Sequence, residues 1–307
     1  MLIGHNNIDP TLRKIIYSCH MVGFVFFSGY FYKASNNLNK TVYKLIRSFL
    51  VPYMFFCFLH LLTHMNGISG SQFIFYLKTY ILGISFSKRV LVNAVSVGPV
   101  YFILLLFCVR IMYVFIDKYT RSAKVKVVIV LGISFAGMIL GNKGYWLPWS
   151  LDCAAYVLIF YYCGICLKKY RLLEMFVSNK GFYFLFSIMW AYMIYISSME
   201  LAVRQYEPYG LVIIGAISGI IIIYMLSVYI EEQSPYFISK LFCVVGENTL
   251  YILILHTCFG AKISVLWETL FAKQGIFHMS FCIITQIILG VVIGEFLSIY
   301  KKWFSEC

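Results

Sequence analysis

The chain has 307 residues, of which 62% are hydrophobic and only 12% are charged, against about 45–50% and about 25% in a soluble domain. That excludes a soluble globular protein, and no polar block of about 50 residues separates the hydrophobic runs to supply a soluble domain. The net charge of +13 does not point to nucleic acid, because the lysines and arginines fall in short loops between apolar runs, where they orient the chain and meet anionic headgroups.

Runs long enough for a bilayer-spanning helix, ~17–25 residues, are predicted at 15–32, 46–65, 99–116, 125–142, 148–167, 181–198, 210–230, 240–259 and 279–299, nine in all. The expected fold class is therefore all-α, a polytopic membrane helix bundle forming one domain over 1–307. Between 66 and 98 the apolar middle, Phe73 to Phe86, is shorter than a span. It reads as a helix in the interface or a re-entrant element. The ten cysteines are scattered and form no disulfide framework. The Cys163-Gly-Ile-Cys166 pair sits in an apolar run with no partner pair, so it reads as packing, and no metal site is expected.

Loop charge orients the spans. The side holding residues 1–14 carries Arg13, Lys14, Lys78, Lys88, Arg89, Lys143, Arg204, Lys262 and Lys273, nine cations. The other carries fifteen: Lys33, Lys40, Lys44, Arg47, Lys118, Arg121, Lys124, Lys126, Lys168, Lys169, Arg171, Lys180, Lys240, Lys301 and Lys302. The more basic side is expected in the cytoplasm, together with the C-terminus. Met1-Leu-Ile-Gly-His5 then starts outside and reads as the tail of a membrane helix. The chain is expected to begin inside its first span, as a fragment or from a misassigned start.

Several polar groups are candidates for function, since ionisable side chains within a membrane are expensive and mark sites. In this orientation His5, His20, His60, His64 and His256 fall toward the outer interface. Tyr101 opens the third span there, and Trp146, Trp149 and Asp152 open the fifth. His20, Phe24 and Ser28 recur at i, i+4 and i+8, as do Asn248, Ile252 and His256, so each trio shares one helix face. Such faces suit a buried cavity, or simply hydrogen bonds between helices. Arg110 lies in the inner half of its span. It reads as one half of a structural ion pair with Asp117, or as a cation for donor phosphates arriving from the cytoplasm.

Four blocks occur in an order that resembles the family 3 membrane acyltransferases. They are Ile3-Gly-His5, then Cys19-His20-Met21 through Phe27-Ser28-Gly29-Tyr30-Phe31, then Gly98-Pro99-Val100-Tyr101-Phe102-Ile103, and Gly246-Glu-Asn-Thr-Leu-Tyr-Ile through His256. Leu147-Pro148-Trp149 through Gly164 is similar to the middle region of that family. The resemblance covers nearly the whole chain. Departures are Val22 where the family has proline, Tyr101 where it has tryptophan, and no counterpart of the basic residue earlier on its first helix.

The resemblance implies ten spans, of which nine are present and the first is truncated. It also implies a bacterial inner-membrane location. The implied activity is O-acetyl transfer from cytoplasmic acetyl-CoA, a donor substrate rather than a bound cofactor, to a hydroxyl of a glycan or lipid-linked sugar, in the manner of the fucose 4-O-acetyltransferase-like branch. His5 is the first candidate base, by its matching position, and His20 an orienting or relay partner. Histidine suits the task because its ordinary pKa lies near 6.5. Arg110, Ser28, Asn248, His256, Tyr101, Trp149 and Asp152 are the candidates for binding. The competing class is a transporter or flippase for a lipid-linked sugar, though the prolines sit mostly at span ends rather than at mid-membrane.

Overall fold

The computed structural model describes residues 9–64, 69–83, 97–197, 199–270 and 276–305. Among them the architecture is all-α, and the only β pairing is an isolated Glu200–Gln205 bridge. The first helix, α1 (Pro10–Tyr30), is started by Asp9, whose carboxylate accepts from the Thr11 and Leu12 amides. The Leu12 and Thr11 N–H groups hold that carboxyl below its usual value. Beyond Asn37 come α2 (Leu38–Leu45) and α3 (Val51–His64), joined through a π turn at Ile46–Leu50. That turn carries the ladder past Pro52, which has no N–H to give.

The short apolar segment predicted at Phe73–Phe86 overlaps α4 (Gly70–Leu82), held between a Ser69–Gln72 capping box and Gly83 in the left-handed conformation, and its end at 84–86 lies outside the described residues. Next follow α5 (Tyr101–Tyr119), α6 (Ala123–Asn142), α7 (Leu151–Lys169), α8 (Leu172–Ser178) and α9 (Lys180–Ile196). The last four are α10 (Tyr209–Gln233), α11 (Tyr236–Glu247), α12 (Thr249–Leu270) and α13 (Ile276–Ser305).

Seven helical stretches among the described residues are long and apolar enough to cross a bilayer. They are Leu38–Thr63, Gly98–Tyr119, Ala123–Asn142, Pro148–Lys169, Tyr209–Gln233, Thr249–Thr269 and Phe277–Phe296. The runs predicted at 15–32 and 181–198 are helices too, but stand outside this set. α1 opens on Arg13 and Lys14 and carries Ser18 and His20, and α9 has 17 residues.

One boundary is corrected. The run predicted as a single span at 240–259 breaks at Asn248, whose side chain bonds back to the Val244 carbonyl, and the spanning helix begins at Thr249. α1 also begins earlier than its apolar run, at the Asp9 cap, so His20 lies at mid-helix rather than toward one end.

The chain divides into two compact units. One holds the described residues of 9–57 and 67–228, and the other those of 58–66 and 229–307. In the first unit α7 is the hub, packed by α1, α5 and α6. Small residues bring α1 and α7 together: a Cβ on Gly164 would strike the Phe26 carbonyl, and one on Gly29 the Tyr161 carbonyl. Val22, Phe26, Leu105, Val157 and Phe160 fill the seam and are fully buried. By contrast α6 leaves Val128 and Phe135 exposed, as suits a helix solvated by lipid. In the second unit α12 and α13 pair along their length.

Candidate functional site

Among the described residues of the first unit, two cavities bear on function. One, of about 360 Å³, is lined by Tyr32, Lys33 and Ser35 after α1, by Lys40, Thr41 and Lys44 of α2, by Ser48, by Arg110 and Val114 of α5, and by Tyr161 of α7. Four cations and no carboxylate face it. Asp117, the nearby acid, accepts from the Tyr32 hydroxyl at 2.9 Å and is paired with Lys126. The ion-pair reading of Arg110 with Asp117 is therefore corrected: among the described residues no carboxylate pairs with Arg110. The half-buried Arg110 guanidinium lies 5.5 Å over the Phe49 ring. A half-enclosed set of Lys and Arg with hydroxyls beside it is suited to phosphate oxygens, which accept several charge-assisted hydrogen bonds at once.

The second cavity, about 500 Å³, opens where α6 ends and α7 and α10 begin, lined by Asn142, Trp146, Arg204, Gln205, Tyr206 and Glu207 among others. Its wall is built from a buried ion pair. Arg204 donates from Nε to Asp152 Oδ2 at 2.8 Å and from Nη2 to Oδ1 at 3.2 Å, and Oδ1 also accepts the Leu147 amide at 3.0 Å. Burial works against the Arg204 charge, yet the Asp152 carboxylate outweighs it and holds the guanidinium above its ordinary range. The guanidinium also lies 4.4 Å over the Trp146 ring and donates to the Ala202 carbonyl at 3.0 Å. Three side-chain-bearing residues here, Trp149, Ser150 and Arg204, adopt positive φ of 58°, 52° and 58°. Such conformations cost about 1–3 kcal/mol each and persist only where surrounding contacts fix them. At Arg204 the Asp152 pair and the Trp146 stack supply those contacts.

The residues singled out from sequence separate. His5 lies outside the described residues. His20 is half-buried on α1, its Nδ1 donating to the Ile16 carbonyl at 2.8 Å, which makes Nε2 the basic nitrogen, and its ring stacks on Tyr17 at 5.1 Å. Ser28 shares that face, away from the buried seam with α7. Tyr101 is buried and lines neither cavity. Trp149 donates from Nε1 to the Ile81 carbonyl at 2.9 Å. Asp152 is fully buried and committed to Arg204, so it shapes the second cavity without reaching a ligand.

Asn248 and His256 line neither of these two cavities. The face they share meets α13, with Asn248 Nδ2 donating to Glu295 at 3.1 Å and His256 Nδ1 to Gln286 Oε1 at 2.8 Å. His256 also stands only seven residues into the 21-residue span, nearer α11 than the far end. The expected gathering of histidines toward one interface loses this member.

Sequence reasoning used Lys33, Lys40, Lys44 and Arg204 only as loop charges. The first three recur about a helical turn or two apart around the Ser35–Thr41 turn, a pattern that could have marked the basic cavity. Nothing local to Arg204, fifty-two residues from Asp152, announced their pairing. No protein-family model, curated protein or solved structure matches the chain.

Proposed function

We propose that the chain is an O-acetyltransferase of the family 3 type, moving an acetyl group from cytoplasmic acetyl-CoA to a sugar hydroxyl of a cell-surface or exopolysaccharide glycan. The observation that carries this reading is the basic cavity at Lys33, Lys40, Lys44 and Arg110. It opens on the side that holds fifteen loop cations, the side the positive-inside rule assigns to the cytoplasm. A donor with a pyrophosphate and a ribose phosphate finds there the charges it needs. The same reading takes the protein to lie in a bacterial inner membrane, with the C-terminus inside.

In the proposed reaction the acceptor oxygen forms a bond to the thioester carbonyl carbon and the carbon–sulfur bond breaks. The hydroxyl proton passes to a histidine, and the electron pair leaves with the CoA thiolate. His5 is the first choice for that base. His20 is the second, because its Nδ1–H bond to Ile16 leaves Nε2 as the nitrogen able to take a proton.

The test is acetate transfer to glycan by vesicles holding the chain, with the inserted protein measured alongside. Replacing Lys33, Lys40 and Lys44 together by Gln is expected to raise KM for acetyl-CoA about tenfold or more while kcat holds, as loss of uniform binding does. His5→Ala is expected to cut kcat by roughly 10²–10⁴-fold, the usual worth of a positioned acid–base group. His60→Ala, which matches no block of the family, serves as the control. Wild-type vesicles that move a lipid-linked sugar across the bilayer and acetylate nothing would overturn the reading in favour of a transporter.

A further inference from the structure

We infer that the cavity between the end of α6 and the start of α10 is a binding site for a neutral saccharide ring. As the acceptor's seat in acetyl transfer it rests on the reading above, but the ligand class rests on the lining alone. Its volume of about 500 Å³ lies within the ~300–1,000 Å³ of small-molecule sites.

Three properties of the lining select the ligand. The first is a fixed aromatic surface. Arg204 lies 4.4 Å over Trp146 and is itself pinned by two hydrogen bonds to Asp152, so the indole is braced from one side while its remaining surface lines the cavity. The apolar C–H face of a sugar packs on such a ring, which offers a large contact area at little entropic cost. The second is a set of planar polar groups. Asn142 and Gln205 each donate and accept, and Glu207 accepts, which matches adjacent hydroxyls that do both. Glu207 is already oriented by Asn142 Nδ2 at 3.4 Å and by the Tyr209 hydroxyl at 3.2 Å.

The third property is charge. Asp152 neutralises Arg204, so Glu207 supplies the only uncompensated charge among the lining residues. An anionic ligand is disfavoured here and favoured at the basic cavity, where cations face it without a carboxylate. The two cavities thus sort ligands by sign of charge.

The experiment uses the whole chain in lipid nanodiscs and saturation-transfer NMR with a panel of methyl pyranosides, free and lipid-linked. Transfer to the ring protons of at least one pyranoside is expected. Trp146→Ala should weaken binding about tenfold or more, and Glu207→Gln by roughly three- to tenfold, in line with loss of an aromatic contact and of a charged hydrogen bond. Trp146→Phe, which keeps a ring, should restore most of the affinity, and the melting temperature of each variant shows that it is folded. A pyranoside bound only when lipid-linked would identify that form as the source.

No transfer to any pyranoside by folded wild-type protein would overturn the proposal. So would binding indifferent to Trp146→Ala, or binding of tetramethylammonium alone that Glu207→Gln abolishes, which would make this a cation site. His20→Ala is expected to lose acetyl transfer yet keep saccharide binding, so failure of the enzymatic reading and failure of this one leave different results.

Discussion

His20, Phe24 and Ser28 on α1, and Asn248, Ile252 and His256 on α12, repeat one spacing on two helices, yet the helices turn those faces to different surroundings. On α12 the polar face is the packed face. Asn248 meets Glu295, His256 meets Gln286, and between them a Cβ on Gly290 would strike Ile252. The partners recede along α13 as α12 advances, so the pair is antiparallel and every polar group on the stripe meets its neighbour. On α1 the packed face is another one, through Val22, Phe26 and Gly29 against α7. His20 there bonds within its own helix, and Phe24 remains 43% exposed. A period of four residues therefore defines a face but not its destination. The destination is set by where small residues on the partner let backbones approach.

The largest effect that would sharpen this contrast is catalytic. His20→Ala is expected to lower acetyl transfer by roughly 10²–10⁴-fold, beyond any change in the amount of folded protein. His256→Ala is expected to lower activity only as far as it lowers the folded fraction. Measured kcat normalised to inserted protein separates them. Equal normalised losses would erase the distinction between the two stripes.

A smaller effect comes from the glycines. Gly164→Val would put a side chain into the Phe26 carbonyl, and Gly290→Val would put one into Ile252. Each should cost about 1–3 kcal/mol, the usual range for overpacking, read as a lowered unfolding midpoint in detergent. Gly246→Val is the comparison, because nothing lies within 4 Å of the position a Cβ would take there. If Gly164→Val proved as mild as Gly246→Val, the close approach of α1 and α7 would not be what places the His20 face.

The fold class and most span positions were legible because apolar length is itself the physical requirement for crossing a bilayer. What misled at 240–259 was that hydropathy runs on through Asn248, while the helix breaks there when the amide bonds back to Val244. Arg110 was legible as a buried cation, but its separation from Asp117 was not, since Lys126 arrives from the next helix to take that acid. The Asp152–Arg204 pair was illegible for a similar reason. The two residues are joined only through the packing of α7 against the turn before α10, and Arg204 holds a left-handed backbone that its residue type does not announce. Trp146 and Trp149 were both visible as aromatic residues at a span end, yet only the three-dimensional course of the turn directs Trp146 into the cavity and Trp149 to the Ile81 carbonyl.

The smallest effect concerns the worth of the polar stripe on α12. If His256 and Gln286 serve only to fix α12 on α13, a double-mutant cycle of His256→Ala and Gln286→Ala should give a coupling of about 0.6 kcal/mol and no more than ~1.7, the range for hydrogen bonds between membrane helices. The value is small because the partly unfolded chain, still in lipid, finds other partners for both groups. Gln286 is buried and its Oε1 accepts from His256 Nδ1 at 2.8 Å, so His256→Ala leaves a buried amide behind and should cost more than the coupling itself. The cycle is read from reversible unfolding in mixed detergent and lipid micelles, with helix content as the signal. A coupling near zero would mean that the His256–Gln286 bond adds nothing to the α12–α13 seam, leaving it to the close approach at Gly290 and Gly294 and to the Asn248–Glu295 bond. A coupling well above ~1.7 kcal/mol would show that this histidine does more than the average membrane hydrogen bond, and the α12 stripe would have to be considered beside that of α1.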